Sequence, residues 1–419
     1  MIALEDYTIS EHLSQSPPTG IYRGVRLSDH LPVILKVLDV EFPSPIQLAR
    51  IRHEYELVKN IVRPGVIKVH ALEKIHHSLA IVMEDFGGIT LRMLIAQNTL
   101  SIEDKLRIAL RISEILGYIH SDGIIHKDIN PNNILINPQT SEIRIIDFGN
   151  AAQLAHEDQH LIHPDHLDGT LAYIAPEQTG RMNRPVDYRS DYYSLGITLY
   201  ELLLNRRPFE AQDSMEIVHL HIASVPLSLH SQEPAIPVIA SRIVQKLIEK
   251  NAENRYQSAI GICKDLETCI LALSSAAPVE DFVSGTQDSS DSFSIPAKLY
   301  GRDAEIKRLM EAYKRVCGGK PGVVLVTGYS GIGKSSLIHE IHKPIAKRRG
   351  FFIAGKFDQY RRNIPYSALI QAFQNLLHQI LTESDERIVL WRERILDALG
   401  ENAQIIMEVL PELRHILGQ

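Results

Sequence analysis

The chain has 419 residues, 44% hydrophobic and 23% charged, with a formal net charge of −7. That length exceeds what one ordinary hydrophobic core organises, so two or three domains are expected. The acidic balance removes the electrostatic case for a nucleic-acid partner or a polybasic membrane contact.

From the start, Met1 to Ser10 carries Glu5 and Asp6 and no apolar core of secretory-signal length. No run of about 18 apolar residues offers a membrane span. Cys263, Cys269 and Cys317 lack C-x-x-C spacing and read as reduced packing residues of a cytoplasmic chain. Residues 7 to about 62 read as short strands and one helix. Leu31–Leu38 (LPVILKVL) has the apolar, β-branched make-up of a buried strand. From Ser44 to Val62, Leu48, Ile51, Tyr55, Val58 and Ile61 recur near the helical period. From Ser101 to about Leu273 helical patterns dominate, broken by the strand-like runs Ile134–Ile136 and Ile143–Ile146. A β-rich lobe followed by an α-rich lobe predicts an α+β fold with a cleft between them. Ser274–Lys298 shifts to Ser, Asp, Ala, Pro and Gly and predicts a flexible linker. After it, Gly322–Thr327 (GVVLVT) reads as a buried strand opening a second α/β unit.

The chemistry-bearing residues fall in a definite order. Lys36 ends the strand VILK, and Glu54 lies on the following helix as its ion-pair partner, with Glu56 the weaker alternative. His126-Lys127-Asp128 then Ile129-Asn130-Pro131-Asn132-Asn133 reproduces H-R-D-x-x-x-x-N with one Arg-to-Lys change. Asp147-Phe148-Gly149 follows the run IRII, and Ala175-Pro176-Glu177 closes the segment. Any one of these triplets is an ordinary turn; this order and spacing resembles the eukaryotic-like protein kinase family over residues 7 to 271. The resemblance implies a two-lobed fold and transfer of the γ-phosphoryl of ATP to serine or threonine hydroxyls of a protein. Lys36 would hold the α- and β-phosphates, Asp128 would accept or orient the hydroxyl proton, and Asn133 and Asp147 would bind Mg²⁺. Met83 looks like the gatekeeper of a hinge, Val82–Phe86, whose Glu84 and Phe86 backbone faces adenine. Asp191 would brace the catalytic-loop backbone, and Arg255 sits where the family pairs an Arg with Glu177. Gly169-Thr170 resembles the serine/threonine form of the substrate segment.

Three positions depart from the family. Ser14, Ser16 and Thr19 stand where a glycine-rich loop carries glycine, which costs about 1–2 kcal/mol wherever a left-handed backbone is needed. Asn130 replaces a Lys that donates to the γ-phosphate, keeping a donor without the charge. Lys127 replaces the Arg that grips an activation-loop phosphate bidentately. These departures keep open a rival reading, an ATP-binding pseudokinase scaffold without phosphotransfer. Asn150–Leu167 contains no Ser, Thr or Tyr, which predicts activity without phosphorylation there. Its His156, His160, His163 and His166 read as part of an exposed polar loop rather than a metal site.

Gly328-Tyr329-Ser330-Gly331-Ile332-Gly333-Lys334-Ser335 matches G-x-x-x-x-G-K-[ST] between the strand-like GVVLVT and the helical SSLIHEIH. Gly328, Gly331 and Gly333 would shape a phosphate cradle, Lys334 would reach the β- and γ-phosphates, and Ser335, with Ser336 beside it, would hold Mg²⁺. Leu299–Tyr313 and Gly350–Phe373 resemble the start of the AAA-like ATPase domain of large bacterial signalling proteins. The expected organisation is a kinase domain over 7–271, a linker over 272–297 and an incomplete P-loop NTPase domain over 298–419, with further domains C-terminal to it. After Ser335 the only strand-like run, FFIAGKFD, ends at Asp358, which the resemblance places in a loop. Nucleotide binding without hydrolysis is therefore expected at this second site.

Overall fold

The computed structural model describes residues 6–16, 18–40, 42–75, 78–153, 171–179, 186–211, 213–275, 282–288, 301–329, 332–341, 344–345, 350–357, 365–381 and 385–417. Its elements run β1 (Tyr7–Ser16), β2 (Thr19–Arg26), β3 (Pro32–Leu38), α1 (Pro45–Val58), β4 (Val69–Ile75), β5 (Ser78–Glu84), β6 (Ile89–Thr90), α2 (Leu91–Gln97) and α3 (Ile102–Ser121). They continue through β7 (Ile124–Ile125), β8 (Ile134–Ile136), β9 (Ile143–Ile145), β10 (Ala152–Gln153), α4 (Arg189–Leu204), α5 (Ser214–Ala223), α6 (Leu229–Gln232), α7 (Val238–Leu247) and α8 (Ala259–Ser275). The chain divides into two units, one of Met1–His160, Asp187–Pro208 and Leu227–Phe293, the other of Leu161–Val186, Phe209–Pro226 and Ser294–Gln419.

In the first unit, β1, β2, β3, β5 and β4 pair in that order as an antiparallel sheet. The pleat explains where the charge goes. Val33, Leu35 and Val37 alternate into a core with Tyr7, Ile75, Ala80 and Val82, which turns Lys36 to the opposite face. β1 and β2 close through two residues, with Ser16 opposite Thr19, so the hairpin stands where a glycine-rich loop would be. Ser44 caps α1 in a capping box with Gln47, and Pro45 opens the helix. Ser101 and Asp104 do the same for α3, whose Leu106, Ala109, Ile112, Leu116 and Ile119 line its buried face. α4 is buried along nearly its whole length. Gly196 lets α7 and the residue after it approach: a Cβ there would lie 2.6 Å from Ile248 Cγ2 and 2.7 Å from Leu247 Cβ.

The linker expectation needs correcting for residues 282–288, which dock on the helical lobe. The carboxylate of Asp288 accepts the backbone N–H of Gln257 (2.7 Å) and Ser258 (2.9 Å) and the Ser258 hydroxyl (2.8 Å), just ahead of α8. Gly285 N donates to Asp265 (2.7 Å), Arg242 donates to the Phe282 carbonyl, and Phe282 is buried. Gly285 has φ +80° and packs on Lys246, a conformation and a closeness that a side chain would spoil. Composition counts apolar area and misses this kind of attachment, in which an aspartate satisfies the free N–H groups at a helix start.

The second unit contains α5 and, further on, α9 (Asp303–Cys317), α10 (Lys334–His339), α11 (Ser367–Leu381), α12 (Asp385–Leu399), α13 (Ala403–Val409) and α14 (Leu413–Leu417). Leu377, Ile380, Met407, Leu410, Leu413 and Ile416 form a core between the last of these helices. Here the buried-strand reading of Gly322–Thr327 is overturned. The run is not in a strand, and Val323 (98% exposed) and Leu325 (84%) face solvent. A strand is held by its neighbours, and among the described residues 301–417 no strand pairs with it. The run at 351–357 is likewise not a strand.

The Asp288 attachment gives a first test. Asp288→Ala should lower the unfolding free energy of the helical lobe by about 1 kcal/mol, the usual worth of a lost cap. Urea unfolding of the full chain followed by tyrosine fluorescence measures it.

Candidate active site

The site lies within the first unit, where β3, α1, β9 and the catalytic loop converge. Lys36 Nζ meets both oxygens of Glu54 at 2.8 Å and Asp147 Oδ1 at 2.9 Å. Glu54 is therefore the partner that α1 supplies, while Glu56 pairs with Lys59 on the surface. Burial alone would lower the Lys36 pKa, but Asp147 and Glu54 outweigh it and hold the ammonium charged well above the ordinary lysine range. Burial raises Glu54, and Asp147 adds to this; Lys36 offsets only part. For Asp147, burial pulls upward, yet the Lys36 charge and hydrogen bond, the Gly149 N–H and His126 hold it below the usual carboxylate value. Asp147 has φ 64°, a left-handed conformation that a tertiary clamp of this kind sustains.

The catalytic loop is built around another carboxylate. Asp191, on α4 and 0% exposed, accepts Lys127 N (2.7 Å) and His126 N (2.9 Å), and the His120 ring approaches its Oδ2 at 2.8 Å. Burial would raise its pKa, but hydrogen bonding to and charge on His120, then His126, hold it low. Lys127 takes φ 64° under this grip. The His126 ring bridges the loop to the Asp147 segment: Nδ1 accepts Asp128 N (3.3 Å), Nε2 faces Ile146 O (3.1 Å), and the ring meets Phe148 edge-on at 4.7 Å.

Asp128 is buried, and Asn130 Nδ2 donates to its Oδ1 at 2.8 Å, with the Asn130 oxygen accepting Asn132 N. Asn130, read from sequence as a γ-phosphate donor, is here the group that orients the Asp128 carboxylate. Asn133 Nδ2 donates to Asp128 O (2.9 Å), which leaves its amide oxygen as a ligand atom. Burial pushes Asp128 above the usual carboxylate range, and Asp147 adds to the rise; His126, Asn130 and Asn133 counter it. Asp147 and Asn133 offer hard oxygen donors, a set that fits Mg²⁺. Gly149 keeps the space beside them open, since a Cβ would sit 3.2 Å from Asp147 Oδ1.

Met83, on β5 opposite Ile34, is buried; Glu84 and Phe86 follow it. Sequence reading missed His120, which sits in an ordinary helical pattern on α3, and missed what holds the hinge. No local motif marks either.

At the second site, Lys334 opens α10 and its Nζ is folded onto Gly328 O (3.0 Å) and Tyr329 O (2.7 Å); Gly333 takes φ 88°. Gly331 and the side chains of Ser335 and Ser336 lie outside the described residues. So do Asp358, the activation-segment histidines His156, His160, His163 and His166, and Gly169-Thr170.

Comparison with known proteins agrees with this geometry. The protein kinase domain family matches residues 7–265, and the AAA ATPase domain family matches 298–417. The chain is similar to the hybrid signal transduction histidine kinase G of Dictyostelium discoideum (32% identical, covering 76% of this chain and 12% of that protein). It is similar to the peroxide stress-activated histidine kinase mak3 of Schizosaccharomyces pombe (24%; 96% and 19%). It also resembles serine/threonine-protein kinase PknB of Mycobacterium tuberculosis (28%; 62% and 42%). The chain thus spans less than half the length of each of these relatives.

Asp191 carries the prediction from this geometry. Its folded pKa is depressed, so its contribution is complete above the unfolded value of about 3.9 and fades as pH falls through the folded one. Asp191→Asn should be less stable by about 1–3 kcal/mol at pH 7 and lose less on acidification than the unsubstituted chain. Urea midpoints at pH 7 and pH 3.5 measure both.

Proposed function

Because this chain belongs to the protein kinase family, we propose that it transfers the γ-phosphoryl group of ATP to serine or threonine hydroxyls of protein substrates in cytoplasmic signalling. The observation that carries this reading is the set of groups already in working contact: Lys36 between Glu54 and Asp147, with the Asp128 carboxylate oriented by Asn130. No helix of the described residues is long and apolar enough to cross a membrane.

In this reading Lys36, fixed by Glu54, presents its charge to the α- and β-phosphates. Asp128 takes the substrate hydroxyl proton as the oxygen attacks the γ-phosphorus and the bond to ADP breaks. Asp147 and the Asn133 oxygen would hold Mg²⁺, whose charge, when bound, offsets that developing on the phosphates. The Ser14–Thr19 hairpin supplies fewer conformations for close phosphate contact than a glycine loop, so affinity depends more on Lys36. The rival scaffold reading draws on that hairpin and on the Asn130 and Lys127 replacements; the intact proton-accepting and metal-binding groups speak for transfer. Two much longer histidine kinases align with this chain over 76% and 96% of its length, which supports a place in a larger signalling chain with further domains C-terminal to it.

At the second site Lys334 and Ser335 would bind Mg–nucleotide without turnover. Lys334 rests on carbonyls that nucleotide phosphates would replace, and no strand-end carboxylate stands near it among the described residues.

Asp128→Asn should reduce phosphotransfer at least a hundredfold with ATP binding largely kept, whereas Asp147→Asn should damage Mg²⁺-dependent binding and transfer together. Since the Asp128 pKa is raised and the carboxylate must be ionised, transfer should fall as pH drops through a value above about 3.9. Radiolabel transfer to a generic acceptor across pH tests this; no transfer above the Asp147→Asn control would refute the enzyme reading. For the second site, steady ATP hydrolysis by Asp147→Asn protein that disappears in Asp147→Asn/Lys334→Ala would overturn binding without turnover.

A further inference from the structure

Asp191 grips the catalytic loop from the first turn of α4, where helical backbone is least held by its own hydrogen bonds. Tyr188, the residue ahead of that turn, gives it no side-chain cap. Asp187 accepts Arg189 N (2.9 Å) locally, and a further hold comes from the segment ahead of α8. The Tyr188 hydroxyl donates to Gln257 O (2.9 Å), Arg189 Nη1 donates to Gln257 Oε1 (2.8 Å), and Arg255 Nη1 donates to Arg189 O (2.9 Å). The Tyr188 ring lies 5.5 Å from the His120 ring, whose Nε2 meets Asp191. Gln257 is itself fixed from two directions. Its Nε2 donates to Arg255 O (2.8 Å) and Ala252 O (3.1 Å), and its backbone N–H donates to Asp288 (2.7 Å). That carboxylate has a seat built for it: at Gly261 on α8 a Cβ would lie 2.6 Å from Asp288 Oδ1 and 2.7 Å from its Cβ.

We propose that Asp288 is a positioning residue for phosphotransfer: by fixing Gln257 it steadies Tyr188 and Arg189, and through them the Asp191 carboxylate that sets residues 126–128. This rests on the phosphotransfer reading above. Asp288 lies beyond the kinase-family match at 7–265 and before the ATPase match at 298–417, so the catalytic unit includes a residue of the segment that connects the two. The effect belongs to turnover. Asp128 follows directly on the backbone that Asp191 holds, and a misplacement of about 1 Å at a reacting group costs about a hundredfold in rate. ATP affinity is a separate matter, because the Lys36–Glu54–Asp147 cluster that would hold the phosphates shares no residue with this path.

The test uses the full chain and radiolabel transfer to a generic acceptor, at a temperature where melting curves show each variant folded. Asp288→Ala should lower kcat by about threefold or more, the scale of substitutions along a coupled network, with KM for ATP unchanged. Asp288→Asn keeps one acceptor oxygen and should fall between the two; it takes the place of Asp288→Ala if that variant does not fold. Tyr188→Phe removes only the hydroxyl that reaches Gln257 O and should lower kcat as well. Combined with Asp288→Ala it should cost less than the product of the two single losses, the mark of a shared path. A carboxylate that only stabilises the fold would move the melting temperature and leave kcat alone. Folded Asp288 variants with the unsubstituted kcat, or a double variant whose loss equals the product, overturn the assignment while leaving the kinase reading standing. An unsubstituted chain with no transfer above the Asp147→Asn control overturns both.

Discussion

One buried ammonium, that of Lys36, sets the terms for the rest of the catalytic unit. A cation taken out of water is tolerated only with partners in good geometry, and here the partners come from a helix and from the segment after β9. The pleat of β3 has to turn Lys36 away from the Val33–Leu35–Val37 face, α1 has to present Glu54, and Asp147 has to accept a left-handed backbone. Loss of Lys36 would leave the buried Glu54 carboxylate without its counter-charge, a penalty of about 3–5 kcal/mol. The same arithmetic explains why the cluster is also the chemical centre: two carboxylates share one cation, so a nucleotide phosphate and a metal ion can enter by exchanging partners rather than by creating new charges in a dry cleft.

The catalytic loop obeys a related constraint. Asp191 lies fully buried and spends its oxygens on two backbone N–H groups and the His120 ring. That fixes the conformation of 126–128, and Asn130 and Asn133 then orient Asp128 from within the same turn. Polar side chains thus hold the loop on both sides, and the apolar floor beneath comes from α3 and α4. The hinge follows the same pattern with half-buried groups, three consecutive residues anchored by Arg144, Arg23 and Asn137.

The second unit shows what happens where such partners are lacking. Val323 and Leu325 have the composition of a buried strand but stand in solvent, while helices, which satisfy their backbone internally, form normally around the Leu377–Ile416 core. Residues 282–288 make the converse case: a polar, glycine-containing segment is held in place by the hydrogen bonds of Asp288 and Gly285.

Much of the fold and site was legible in the order of residues alone. Local chemistry determined it: alternation put Lys36 on its strand, the helical period and Ser44 placed α1, and the H-K-D, D-F-G and G-x-x-x-x-G-K-S spacings named Asp128, Asn133, Asp147 and Lys334 with their expected roles. The tertiary structure pairs Lys36 with Glu54, which the sequence already ranked ahead of Glu56, and shows the reason: the two lie half a turn apart on one helix and differ in which face meets β3. It alone turned Asn130 toward Asp128, brought His120 to Asp191 across 71 residues, and tied Asn137 to the hinge across 51. It also denied Gly322–Thr327 its strand. These are long-range pairings, and a hydrogen bond between distant residues leaves no periodic trace in either partner's neighbourhood; a motif reports only what the chain does within a few residues of itself.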